Sequence, residues 1–230
     1  MKATFDSERH EIVTHSFNRL TTIAALDIGS SKVCCVIARI SRDQKISIAG
    51  YGYNASKGIK NGIITDIKQA TYSVCDAVEA AEQMANERVS RIIVNISGDR
   101  VKSSIKRSAI NLNKSKPVSE ADIKKVIEKG INKINVEDNE LIHELIPCLP
   151  TGYRLDFGEE TNDPRNLYGE SLSVDVLLGL VPEIMYRNVK TVLDNSHLEI
   201  AEKALSSYAS GLACLVDDEK ELGATVVDIG

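Results

Sequence analysis

Excess positive charge is missing from this 230-residue sequence: 33 acidic residues against 28 Lys and Arg leave a formal net charge of −5. Holding a phosphate backbone takes a concentrated basic surface, so nucleic acid is not an expected partner. Cysteine pairing is missing as well. Cys34, Cys35, Cys75, Cys148 and Cys214 are odd in number and contain no Cys-x-x-Cys spacing, which predicts a reducing cytosol and no disulfide framework or zinc site. Long apolar runs are absent. The best stretch, Val174 to Val181, is interrupted by Asp175 and falls far below the roughly 18 residues that a bilayer span requires. The N-terminus lacks a cationic start followed by a continuous apolar run, so no signal peptide is expected.

What remains is ordinary globular composition, 43% apolar and 27% charged, enough for one or two domains with a real core. Residues 1–22 are polar without clear period and read as a mobile tail. Ile23 to Leu26 is a buried-strand run, Asp27 to Ser31 supplies turn chemistry, Val33 to Ile40 is a second strand and Lys45 to Asn54 a third. Gly58 and Gly62 bracket a loop. Asp66 with Gln69 can cap a helix whose stripe is Ile67, Ala70, Val74, Ala77, Val78 and Ala81, and Arg91 to Ile96 is a short buried strand.

The texture then changes. Val101 to Lys133 carries nine Lys/Arg and three acids, and Ile134 to Leu180 carries two Arg and ten acids, which suggests an inserted unit with two differently charged faces. Ser119 and Asp122 form a capping-box pattern ahead of the stripe Ile123, Val126, Ile127, Ile131 and Ile134. Beyond the insert, Pro182 opens a helix to about Asn195, Leu198 to Ala201 reads as a strand, Lys203 to Val216 as a helix, and Ala224 to Val227 as a last strand.

The most informative feature is a repeat. An apolar strand ending in Asp-Ile-Gly occurs at Ile23 to Gly29 and again at Ala224 to Gly230. Glycine after the aspartate lets backbone N–H groups approach phosphate oxygens without a Cβ clash. Asp27 and Asp228 at strand ends would hold Mg²⁺ through water, because Mg²⁺ keeps much of its hydration shell. Gly29, Ser30, Ser31 and Lys32, with Gly230 in the second copy, would face the phosphates, and Lys32 adds a cation.

These paired turns resemble the two phosphate loops of the actin-like ATPase superfamily. More narrowly, several strings resemble the FtsA family of bacterial cell-division proteins: Ala25 to Val33, Lys57 to Asp66 leading into Ala80-Ala81-Glu82, Val94 to Gly98, His143 with Pro147, Ala209 to Ala213, and Glu219 to Gly223 before Val226 to Gly230. The resemblance implies an α/β fold. An actin- or ribonuclease-H-like subdomain of mixed sheet and flanking helices, residues 23–98 and 181–230, is interrupted at 99–180 by a small α+β insert of SHS2 type, called 1C. It also implies ATP with Mg²⁺ as cofactor and filament formation through 1C. It further implies an adaptor role that links the FtsZ ring to the inner face of the cytoplasmic membrane at the division site. Nucleotide would act as a switch, with at most slow hydrolysis.

Two departures qualify that expectation. The family's usual Glu-Pro pair before the Ala-Ser helix start is replaced by Ser206 and Ser207, followed by Tyr208, so no catalytic residue is assigned, although Glu202 sits one turn earlier and could substitute only if geometry allows. Family members also continue past the second phosphate loop into an adenosine-contacting half and a membrane-binding C-terminal helix, which this sequence does not carry. The chain alone is therefore expected to bind ATP poorly. A sugar-kinase-like phosphotransferase and a type IV pilus adaptor are the alternatives. The insert position speaks against the first, and the Lys57 to Asp66 string favours division over the second.

Other candidates have plainer explanations. Cys34 and Cys35 are adjacent in a strand and pack on opposite faces. Asp156-Phe157-Gly158 mimics a kinase metal motif without the accompanying loops and reads as a turn. Glu159, Glu160 and Asp163 lack Ca²⁺-loop spacing, and His143 reads as structural.

Overall fold

The computed structural model describes residues 21–98, 100–132, 143–156 and 158–228. The first strand, β1 (Thr21–Ile28), alternates strictly: Ala24, Leu26 and Ile28 are buried while Ala25 and Asp27 are exposed. That alternation puts Asp27 on the sheet face opposite the core. The chain turns tightly at Gly29 to Ser31, with the Gly29 N–H donating to the Lys32 carbonyl at 3.0 Å, and returns as β2 (Lys32–Ile40). Strand β3 (Ile46–Ala55) completes an antiparallel meander. The segment bracketed by Gly58 and Gly62 is a miniature hairpin, not an open loop: β4 (Ile59–Lys60) and β5 (Ile63–Ile64) pair around a two-residue tip, Asn61-Gly62.

Helix α1 (Ile67–Ala85) starts as the sequence predicts. Asp66 is its N-cap, accepting from the Gln69 backbone N–H at 3.0 Å, and the Gln69 amide returns a bond to the same carboxylate at 3.0 Å. It buries Ala70, Val74, Ala77 and Ala81 against β2 and β3. Strand β6 (Arg91–Ile96) then runs parallel to β1, and β11 (Glu199–Leu205) runs parallel to β6, giving a mixed five-stranded sheet in the order β11-β6-β1-β2-β3. Helix α3 (Glu183–Asn195) packs against α1 and adds Met185, Val192 and Leu193 to the same core. Leu26, Ile37, Val74, Ile92, Val94 and Leu193 are fully buried there. At roughly 1.5–3 kcal/mol for each such side chain, this core outweighs any single cap in holding the sheet together.

Between β6 and α3 stands a second layer. Strands β7 (Lys102–Asn111), β8 (His143–Leu155), β9 (Glu160–Thr161) and β10 (Ser171–Pro182) form an antiparallel sheet in the order β7-β10-β8-β9. Helix α2 (Glu120–Asn132) lies on it, and the two share a core of Ile110, Ile123, Val126, Leu172, Val174, Val176 and Leu178. The Ser119 and Asp122 cap is reciprocal, with Ser119 N–H to Asp122 Oδ2 at 3.0 Å and Asp122 N–H to Ser119 Oγ at 3.4 Å. These bonds hold the Asp122 carboxyl below the usual carboxylate range, the Ser119 hydroxyl contributing most. Ile134 lies outside the described residues, as do residues 1–20 of the expected tail; Thr21 and Thr22 open β1.

Four expectations are corrected. The basic and acidic stretches of the insert do not separate into two faces, because antiparallel pairing sets β7 beside β10: Arg107 meets Asp175 at 2.7 Å, Lys114 meets Glu170 at 2.6 Å, and Arg165 reaches Glu120 at 3.8 Å. Lys203 to Leu205 is strand, paired with Val94 to Ile96, so the helix expected from Lys203 begins at Ser206 as α4 (Ser206–Cys214), followed by α5 (Asp217–Leu222). Glu202 accordingly sits on β11 beside a register shift, not one helical turn ahead of the serines. Ala224 to Val227 is not a strand. It pairs with neither edge of the five-stranded sheet, and Val227 is 75% exposed. A strand needs a neighbour to take its backbone hydrogen bonds, and this segment docks on none among the described residues.

Candidate functional site

The first Asp-Ile-Gly turn is held by a residue that the motif does not contain. Asn95, on β6 next to β1, donates through Nδ2 to Asp27 Oδ1 and to Ser206 Oγ at 2.8 Å, while its Oδ1 accepts from the Ile28 N–H at 2.7 Å. One amide therefore binds the aspartate, the backbone that carries it and the first residue of α4. Ser206 also donates to the Ile96 carbonyl at 3.4 Å. Neither Asn95 nor Ser206 belongs to the motif or to the predicted site residues. The available signal was a polar side chain inside the apolar run Ile92 to Ile96.

The turn itself fits an anion. Asp27, Ser30, Ser31 and Lys32 are exposed, and among the described residues Lys32 makes no ion pair. A Cβ on Gly29 would stand 2.9 Å from the Lys32 carbonyl oxygen, so the close turn between these two residues favours glycine. Ser30 Oγ accepts from the Gly62 N–H at 2.9 Å, and the Ser31 carbonyl accepts from the Ser56 N–H at 3.0 Å.

The second turn meets the same helix. Ser210, one turn beyond Ser206 on α4, donates to Asp228 Oδ2 at 3.0 Å, and Asp228 is exposed. Helix α4 thus touches both predicted magnesium-side carboxylates, Asp27 through Asn95 and Asp228 directly. Gly230 lies outside the described residues. No group of three or more metal-ligating side chains occurs among the described residues. Two carboxylates that leave most of the coordination shell to water and phosphate suit Mg²⁺ better than an ion that needs a full protein cage.

The remaining candidates settle into structural roles. Asp156 sits in a turn at φ 52°, accepting from the Glu170 and Ser171 N–H groups at 2.9 and 2.8 Å; these bonds, Ser171's first, hold its carboxyl below the usual range. Glu160 pairs with Arg154, and Asp163 with Arg165 at 2.8 Å. Cys35 is fully buried, and desolvation pushes its thiol up to about 12. The His143 side chain lies outside the described residues. No helix among the described residues is long and apolar enough to cross a membrane.

Comparison with known proteins adds similarity to relatives of known family. The family described as the SHS2 domain inserted in FTSA matches residues 98–178. Cell division protein FtsA of Agrobacterium fabrum (strain C58) is 35% identical over 225 residues, covering 94% of this chain and 50% of that protein. The Escherichia coli K12 protein of the same name is 26% identical over 208 residues, covering 90% of this chain and 48% of its own length. The chain spans about half the length of the curated relatives it matches. A chain of the PilM-PilN type IV pilus biogenesis complex shares the fold, with a TM-score of 0.54 at 11% identity, over 83% of this chain and 49% of that one. The mixed sheet with its helices and the SHS2 match together give an actin-like α/β fold carrying a small α+β insert. Over nine-tenths of its length the chain is similar to the N-terminal portion of the FtsA cell-division proteins.

Proposed function

We propose that this chain is the nucleotide-phosphate half of an actin-like cell-division adaptor. Asp27 and Asp228 hold the hydration shell of Mg²⁺, and Gly29, Ser30, Ser31, Lys32 and Gly230 receive the phosphates of ATP. The observation that carries this is the arrangement around α4, whose first turn reaches Asp27 through Asn95 while its second turn binds Asp228 through Ser210. A helix in contact with both turns is suited to sensing whether a cation and a polyphosphate lie between them. The exposed Ser30, Ser31 and Lys32 would orient the phosphates when ATP is bound, with Lys32 neutralising part of the negative charge that ATP would supply. No residue is assigned to activate water, so nucleotide acts here as a switch between assembly states.

In the whole protein, division of labour follows the family resemblance. Residues 23–98 and 181–230 form the phosphate-binding subdomain, and the 99–180 insert contributes to self-association. The assembled protein links FtsZ to the inner face of the cytoplasmic membrane through a helix outside this chain. Likeness to the pilus complex is one of fold alone at 11% identity, and it gives the pilus alternative no separate support.

The test is calorimetric titration of Mg-ATP into this chain and into one extended through the remaining half of its relatives' length, each with and without Asp27→Ala. Tight binding by the extended chain, abolished by Asp27→Ala, with the short chain binding no better than millimolar, is the expected result. Tight binding by the short chain, or binding indifferent to Asp27, would refute the placement of the site.

A further inference from the structure

The Lys57 to Asp66 string is the motif that the phosphate site leaves unexplained, and its structure gives it a role. We infer that the β4–β5 hairpin is a positioning element: its tip orients the Ser30 hydroxyl toward a bound phosphate and transmits that contact to the entrance of the insert. The inference rests on the phosphate-turn assignment made above and concerns residues outside it.

Three contacts carry it. At the tip, Asn61 (φ 50°) and Gly62 (φ 72°) both adopt the left-handed region, the pairing that a two-residue type I′ hairpin requires. This conformation aims the Gly62 N–H at Ser30 Oγ, 2.9 Å away. A serine hydroxyl has one proton to give and two lone pairs to accept with. With one lone pair taken by Gly62, and no acceptor for its proton among the described residues, the exposed Ser30 hydroxyl keeps a proton to donate. An N–H bond received by an oxygen strengthens the bond that the same oxygen's proton donates, so the two contacts reinforce each other.

On its other side the tip lies against the main chain that leaves the five-stranded sheet. A Cβ added to Gly62 would stand 2.9 Å from Gly98 Cα and 3.0 Å from the Ser97 carbonyl carbon. Ser97 and Gly98 follow directly on β6 and lead into the insert, where the Val101 N–H closes a turn on the Gly98 carbonyl at 3.3 Å. Backbone against backbone, with no side chain between, leaves no soft element to absorb a displacement.

The hairpin is also stiff at its base. Ile59 and Ile64 are buried in the main core at 4% and 7% exposure, and the Thr65 and Asp66 N–H groups both donate to the Gly58 carbonyl, at 2.8 and 3.1 Å. Asp66 in turn caps α1. A tip that is anchored in the core, bonded to Ser30 and pressed on Gly98 moves both or neither.

The experiment uses the ¹⁵N-labelled chain titrated with Mg-tripolyphosphate to millimolar concentration, a probe that needs no base-binding half. Amide shifts at Gly29 to Lys32 are expected, with Gly62 and Gly98 moving along the same concentration curve. In Ser30→Ala the turn amides still shift, with affinity weakened by roughly ten- to a hundredfold for the lost charge-assisted bond, while Gly62 and Gly98 stay in place; Ser30→Thr, which keeps the hydroxyl, restores them. Turn amides that shift while Gly62 and Gly98 do not would overturn the coupling and leave the phosphate assignment intact, as would equal movement of Gly62 and Gly98 in Ser30→Ala. Absence of any shift at residues 27–32 would overturn the phosphate assignment and this inference with it. The spectrum of each variant reports at once whether it has folded.

Discussion

A methyl group on Gly52 would stand 2.2 Å from the carbonyl oxygen of Ala77: strand β3 and helix α1 are in backbone contact at that point. Such an approach cannot be relieved by a rotamer change, because the obstructing atom is main chain. Gly52→Ala is expected to destabilise the chain by about 1–3 kcal/mol, the range for overpacking a well-filled core, read as a lowered urea midpoint. A midpoint equal to the wild type's would mean that α1 can lift away from the sheet freely.

Asn95 and Asp27 supply a second prediction. Asn95→Asp removes the two amide protons and places a second carboxylate against Asp27. The variant is expected to lose stability at pH 7 by roughly 2 kcal/mol, through lost hydrogen bonds and like-charge repulsion. Acidification should shrink the loss, because it relieves the like-charge repulsion. Denaturant midpoints at falling pH test the sign; a deficit that grows on acidification would contradict the geometry.

Asp175 gives the insert its own pH dependence. Hydrogen bonding from the Arg107 guanidinium, with help from Arg154 and against some desolvation, holds this carboxyl down at about 2. Its folded value lies below the unfolded one of about 3.9, so the stabilisation is complete above that unfolded value and is lost as pH falls through about 2. Arg107 is largely exposed, which screens the interaction. Asp175→Asn is expected to cost roughly 1 kcal/mol at pH 7 and almost nothing near pH 2 in urea titrations. A cost independent of pH would show that shape, not charge, holds the network.

The cysteines should separate by reactivity. Cys35 is fully buried with its thiol raised to about 12, whereas Cys214 is exposed on α4. A thiol-specific reagent at pH 8 is expected to label Cys214 rapidly and Cys35 only at the rate of unfolding, because the thiolate is the reactive form. Rapid labelling of Cys35 in the native chain would contradict its placement between β1, β3 and α1.

How much of this was legible beforehand depended on the range of the interaction. The caps at Asp66 with Gln69 and at Ser119 with Asp122 are three residues apart, and both form as their spacing implies. Asn95, by contrast, reaches Asp27 across 68 positions of sequence and Ser206 across 111, and only the parallel pairing of β1, β6 and β11 assembles the three. Lys203 to Leu205 has helix-forming composition, and the β6 ladder overrides it. Ala224 to Val227 has strand-forming composition and lacks a ladder to join. The β4–β5 hairpin has two residues per arm, too few to show a period.

The insert leaves and rejoins its host at neighbouring points: Lys102 at its start pairs with Leu180 near its end, in the same ladder that runs into Pro182 and α3. To the five-stranded sheet, the whole of this excursion is therefore closed off like a short turn, with little chain entropy charged to its length. Substitutions and length changes on the far side of the insert can accumulate without altering the spacing between β6 and α3, while the near side, where Ile146 and Val181 enter the host core, is bound to the host's own sequence. Such a junction lets one module diversify while the other stays fixed.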